Sequence, residues 1–263
     1  QQHQQLTTRP SPATVQDQPN LEKLKALKLF GMARALEDLN GLHDRGRLDF
    51  ADQLALLIDR EAADRANIAL ATRLKRAQLR QTACFENIDL KAARGLDKGL
   101  IRDLFTCRWI SDHRHLIITG ATGTGKTWIS CALGNQAARE GLSVLYARLS
   151  RLLDDLATAR LAGADGRLMR RLAKVDLLIL DDWAMTDLTA QQRRDVMEIV
   201  DDRYDRRSII LATQVPVDRW HDMIGDPTYA DAILDRIVDN ANRVELQGES
   251  LRKTRTVAMA APN

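Results

Sequence analysis

Apolar residues fall along this chain in two rhythms. Between Leu21 and Arg80 they recur every three or four residues. Leu21, Leu24, Leu27, Phe30, Met32, Leu36 and Leu39 form one series, and Leu54, Ile58, Ala62, Ala66, Leu70, Leu74 and Ala77 a second. That spacing predicts two helical stretches, the first closed by Asn40-Gly41 ahead of a loop containing Gly46, the second running from about Phe50 to Arg80. A further helix is expected from about Asp97 to Trp109. Beyond it the rhythm changes to short apolar runs at 115–119, 142–147, 175–180, 208–214 and 243–247, which read as strands. Helical stretches separate them, at about 149–173 with a break near Gly163 and Gly166, then 189–204, 217–223 and 228–240. Alternating strands and helices predict an α/β fold with a mainly parallel, doubly wound sheet, preceded by a small all-helical N-terminal domain. Residues 1–20, rich in Gln, Pro and Thr, read as a disordered tail. The expected organisation is therefore a tail, a helical domain over 21–81, an α/β domain over 82–255 and a flexible tail over 256–263.

The first strand runs into Gly120-Ala121-Thr122-Gly123-Thr124-Gly125-Lys126-Thr127, which fits G-x-x-x-x-G-K-[ST] at every fixed position with a helix-compatible run behind it. Glycines let backbone N–H groups curl around phosphate oxygens, and the helix N-terminus adds a favourable dipole. Lys126 is expected to reach the β- and γ-phosphates of ATP, and the Thr127 hydroxyl to ligate Mg²⁺. The third strand closes on two carboxylates, the Walker B arrangement. Asp181 is expected to hold Mg²⁺ and Asp182 to orient or deprotonate the attacking water. The fourth strand ends in Thr213-Gln214, at the sheet edge where open α/β sheets keep their ligands. Phe85 and Ile88, ahead of the P-loop strand, are candidates to cover the adenine, although core packing explains them as well.

Net charge is only +3, but the cations are 30 Arg against 9 Lys. Arginine favours bidentate phosphate contact; a GC-rich genome would give the same bias, so position has to decide. Arg65, Arg73, Lys75, Arg76 and Arg80 lie on the second helical stretch with no acidic residue between Arg65 and Arg80, and Arg73, Arg76 and Arg80 are expected on one face. A second basic region carries Arg148, Arg151, Arg160, Arg167, Arg170, Arg171 and Lys174 against three Asp. Both are candidate nucleic-acid contacts, with a solvated helix face as the alternative. The cysteines Cys84, Cys107 and Cys131 stand apart without metal spacing, and an odd count fits a reducing cytoplasm. The N-terminal residues lack the pattern of a secretory signal, and no segment approaches the apolar length of a membrane span.

Taken together, LFGMARALEDL, LDFADQLALLIDREAADRAN, GATGTGKT, LLILDDW, DDRYDRRSIILATQVPVDRW, DPTYADAILDRIVDNA and GESLRK resemble the IstB-like transposition helper ATPases, relatives of the DnaC-type helicase loaders within the AAA+ superfamily. The resemblance covers about Leu21 to Arg255. It implies an AAA+ P-loop NTPase core with a helical N-terminal domain, homo-oligomers with ATP at subunit interfaces, assembly on duplex DNA and a partner transposase. By the same resemblance Gln214 sits at the sensor 1 position, where Asn is usual. Arg236 occupies the arginine-finger position, acting on a neighbouring copy's ATP, and Arg252 is a basic residue that touches phosphate. Leu251 stands where the family usually has Tyr, and Asp182 where Walker B commonly has Glu. Two rivals remain: a helicase loader that prefers single strands, and a nucleotide switch with negligible turnover.

Overall fold

The computed structural model describes residues 12–41, 48–88 and 95–248. The chain divides into two compact units, Gln1–Ala71 and Thr72–Asn263. In the first, α1 spans Pro12–Ala26 and α2 Phe30–Gly41, and α3, Phe50–Ala77, carries the chain across the division. Residues 12–20 of the expected tail are thus helical. Pro12 opens α1 at the first helical position, where a missing N–H costs nothing. The single helix expected from Leu21 to Leu39 is two. Lys28 turns left-handed (φ 59°). The Leu29 N–H donates to Leu24 O at 2.8 Å and the Lys28 N–H to Lys25 O at 3.0 Å, which closes α1 in a Schellman motif. Glu61 of α3 then caps α2, accepting from the N–H groups of Gly31 at 2.7 Å and Met32 at 3.2 Å. A Cβ at Gly31 would stand 2.6 Å from Glu61 Cα, so only glycine allows this approach.

The second stretch stops at Ala77 rather than Arg80. Gln78 adopts φ 53° and redirects the chain, so Arg80 leaves the face of Arg73 and Arg76. The helix expected over 97–109 is also two: α4, Lys98–Leu104, capped by the Asp97 carboxylate, and α5, Arg108–Ser111, after a left-handed Cys107. Five parallel strands follow: β1 (His115–Gly120), β2 (Val144–Arg148), β3 (Leu177–Asp181), β4 (Ser208–Thr213) and β5 (Ala241–Leu246), in the order β2-β3-β4-β1-β5. Parallel strands need crossovers, and helices supply them. These are α6 (Lys126–Arg139), α7 (Leu149–Leu161), α8 (Asp165–Lys174), α9 (Ala190–Arg203), α10 (Trp220–Ile224) and α11 (Pro227–Val238).

Side chains alternate across the strands. Ile117, Leu145, Leu178, Leu180, Ile209 and Leu211 face one core with Leu156, Leu172, Val196, Ile199, Ile233 and Ile237 from α7, α8, α9 and α11. The other face carries α6, where Gly134 lies so close that a Cβ would meet Ile179 Cδ1 at 2.9 Å. Arg203 of α9 is fully buried, and its guanidinium donates to the carbonyls of Leu172, Val175, Asp176 and Ser208. Burial opposes its charge, and those acceptors with Asp176 offset the cost. It ties the end of α8 to the starts of β3 and β4.

Candidate nucleotide site and basic basin

β1, β3 and β4 deliver the P-loop, Asp181 and Gln214 to one end of the sheet, because parallel strands all end on the same side. Gly120 has φ 150°, and a Cβ there would lie 2.5 Å from Leu246 O. Gly125, at φ 104°, is the N-cap of α6 and leaves the first N–H groups of that helix to the loop. Thr124 is buried and donates to Ala121 O at 2.9 Å, which tightens the curl. Lys126 Nζ lies over the loop, donating to Gly120 O at 2.6 Å and Ala121 O at 2.8 Å. Burial pulls its pKa down, and Asp181 and Asp182 pull it back up; the net direction is down.

Asp181 is 1% exposed. Its Oδ2 accepts from Thr127 Oγ1 and from Tyr146 Oη, both at 2.7 Å, and its Oδ1 from the Asp182 N–H at 3.1 Å. Burial, and then the bond to Asp181, pushes the Tyr146 phenol pKa upward. Asp182 and Ala184 are both left-handed (φ 58° and 53°). Each such non-glycine residue costs on the order of 1 kcal/mol. Trp183, between them, is buried and packs against Trp220, the rings tilted by 58° with centroids 5.5 Å apart. Its backbone N–H donates to Ala212 O at 3.1 Å, and its carbonyl accepts from Thr213 Oγ1 at 2.6 Å. Thr213 therefore serves the carboxylate loop. Gln214 faces the P-loop, with Thr122 Oγ1 donating to its Oε1 at 2.5 Å.

Thr127 and Asp181 present one hydroxyl and one carboxylate, and no group of three His, Cys, Asp or Glu side chains capable of holding a metal exists among the described residues. That sparse donor set fits Mg²⁺, which keeps waters and binds through one or two carboxylates plus substrate phosphates. Phe85 packs on Phe105, centroids 4.5 Å apart, and Ile88 is half-buried.

The predicted cations separate into groups. Arg73 and Arg76 of α3 and Arg167, Arg170, Arg171 and Lys174 from α8 line one basin of about 660 Å³, floored by Ser143, Val144, Leu145 and Val175. None of the six pairs with a carboxylate among the described residues. Arg73 Nε also donates to Ala138 O at 2.8 Å, which fixes the end of α3 on α6. Lys75 and Arg151 are exposed but do not line the basin. Arg65 pairs with Glu61 at 2.7 Å, Arg148 faces Asp182 at 3.5 Å, and Arg80 interacts with the Tyr146 hydroxyl. Arg236 pairs with Asp201 at 2.9 Å, donates to Ala232 O at 2.9 Å and stands 5.9 Å over the Tyr204 ring. Arg252 and Leu251 lie outside the described residues.

Sequence reasoning did not find Tyr146, Arg203 or the Trp183–Trp220 pair. Nothing marks Tyr146 in the sequence beyond its place in an apolar strand.

This is an α/β P-loop NTPase fold, with helices preceding the core in the chain. It is similar in fold to DnaI (TM-score 0.54, 19% identity, 64% of this chain and 90% of that one). It is likewise similar to the AMPPCP-bound DnaA of Aquifex aeolicus (TM-score 0.55, 21% identity, 71% and 57%). Within that class the chain belongs to the IstB-like ATP binding protein family, whose model matches residues 22–258. An insertion-sequence ATP-binding protein of Sinorhizobium fredii, y4pL, is 48% identical over 235 residues (89% of this chain, 96% of that protein). An ATP-binding protein in an insertion sequence of Mycobacterium tuberculosis is 35% identical over 235 residues (87% and 92%). The IS21 ATP-binding protein of Pseudomonas aeruginosa is 28% identical over 229 residues (87% and 86%). No helix among the described residues is long and apolar enough to cross a membrane.

Proposed function

We propose that this protein is a cytoplasmic ATPase that assembles on duplex DNA when ATP is bound and assists the transposase of an insertion sequence. The observation that carries the DNA half is the basin. Six cations from two separately predicted basic regions meet in the unit that holds the P-loop. A groove of arginines above an apolar floor suits a phosphate backbone without reading bases. Lys75 adds charge along α3, whereas Arg148 and Arg151 lie at the opposite, nucleotide end of β2 and Arg65 pairs with Glu61.

In the ATPase half, the loop amides of 120–127 and Lys126 bind the phosphates. Bound Mg²⁺ would neutralise charge on them, held by Thr127 and Asp181. Asp182 accepts the proton of the attacking water, and Gln214 orients that water beside the γ-phosphate. Arg236 of an adjacent copy stabilises charge on the transferring phosphoryl group, and Arg252 contacts phosphate. Hydrolysis to ADP and phosphate disassembles the oligomer. A switch with slow turnover is favoured by one observation, the pairing of Asp182 with Arg148.

Gel filtration and electron microscopy with linear duplex, with and without ATP, test the reading. Large assemblies that require both ligands are expected. A protein that remains monomeric and unbound at low salt overturns it, and preference for single strands with co-purification of a helicase transfers it to the loader class.

A further inference from the structure

Asp181 has a second buried donor that the P-loop does not account for. Tyr146 rises from β2, the edge strand beside β3, and the register sets it against Ile179, two residues before Asp181. Its ring is buried, and its hydroxyl reaches the same Oδ2 that Thr127 Oγ1 contacts, at the same 2.7 Å. A carboxylate on a strand end can rotate about its side-chain torsions. Two donors on one oxygen restrict that rotation, and the Asp182 N–H holds the other oxygen. Outer-shell donors of this kind fix a metal-binding carboxylate and set its donor strength. Arg80, expected on the polyanion face, instead interacts with this hydroxyl.

We propose that Tyr146 is the positioning residue of the metal half of the nucleotide site: its hydroxyl orients Asp181 for Mg²⁺, while the loop and Lys126 hold the nucleotide without its help. The proposal rests on the reading of Thr127 and Asp181 as the Mg²⁺ pair. It separates two affinities that a merely structural tyrosine would move together.

Tyr146→Phe keeps the ring and removes only the hydroxyl. A fluorescent ADP analogue is titrated in EDTA, and its complex is then titrated with Mg²⁺, for wild type and variant at matched thermal stability. The Mg²⁺ concentration at half-saturation is expected to rise about 10-fold in the variant, the low end for loss of an outer-shell partner. Affinity in EDTA should change less than twofold. An unchanged Mg²⁺ midpoint overturns the proposal while the ATPase reading stands. A parallel loss in EDTA also overturns it and makes Tyr146 structural. A wild type with no Mg²⁺ dependence at all overturns the Mg²⁺ assignment itself. Arg80→Ala serves as a second variant: a smaller rise in the same Mg²⁺ midpoint is expected, and a fall would contradict the proposed chain of contacts.

Discussion

Arg148 and Asp182 face each other across the ends of adjacent strands, Nε to carboxylate oxygen 3.5 Å. Arg148 is about one-third exposed and Asp182 about half, so the pair is worth no more than about 1 kcal/mol. It biases the carboxylate toward the β2 side without locking it there. Asp182→Asn should lower turnover by about 10²–10⁴, the usual contribution of a general base, with nucleotide affinity nearly unchanged. Arg148→Ala should raise DNA-free turnover by at most about fivefold, the rate equivalent of that 1 kcal/mol. Steady-state phosphate release measures both.

Arg236 holds an exposed partner, Asp201, and lies over Tyr204. Arg236→Ala should therefore shift Tm by only a few degrees. If the side chain acts on a neighbouring copy's ATP, the same substitution should cost about 10³ or more in turnover under assembling conditions. Wild-type rates in the variant would end the finger assignment.

Six cations converging on one basin predict a log-log salt slope of about −5 for duplex binding, roughly 0.9 per neutralised phosphate. The double variant Arg170→Glu/Arg171→Glu should weaken binding by at least about 10-fold and flatten the slope by about two. ADP affinity should stay unchanged, since neither residue approaches the P-loop. Fluorescence anisotropy across a salt series measures all three quantities.

His115 opens β1 fully buried, and its Nδ1 accepts the Ile209 N–H at 3.2 Å, which leaves the proton on Nε2. Burial first, and Arg203 second, push its pKa down from 6.5 to about 4. The neutral ring is favoured in the fold, so its stabilisation is present above pH 6.5 and lost as pH falls toward 4. The full loss is about 3 kcal/mol. His115→Asn, whose Oδ1 can replace Nδ1 as acceptor, should show a shallower fall of Tm between pH 6.5 and 4 than wild type. Identical slopes would refute the assignment.

The P-loop and the Asp181-Asp182 pair are legible in the sequence because their chemistry is local: a glycine-rich turn between strand and helix, and a strand closing on carboxylates. The strand and helix rhythm of the second unit is legible for the same reason. Helix ends are less so. The stops at Lys28, Gln78 and Cys107 depend on non-glycine residues taking left-handed backbone, which carries no composition signal. At Lys28 and Cys107 the turn is closed by backbone bonds to carbonyls three to five residues back.

The chain by itself determined that a phosphate-binding loop and a carboxylate pair lie on parallel strands, since spacing along one polymer is enough to specify them. Only tertiary structure decided which cations share a basin, which are spent on Asp182 or Asp201, and that Tyr146 meets Asp181. Those outcomes depend on strand order and on the turn after α3. The physical reason is that a charge's partner is fixed by distances across the fold, and nothing in linear spacing encodes them.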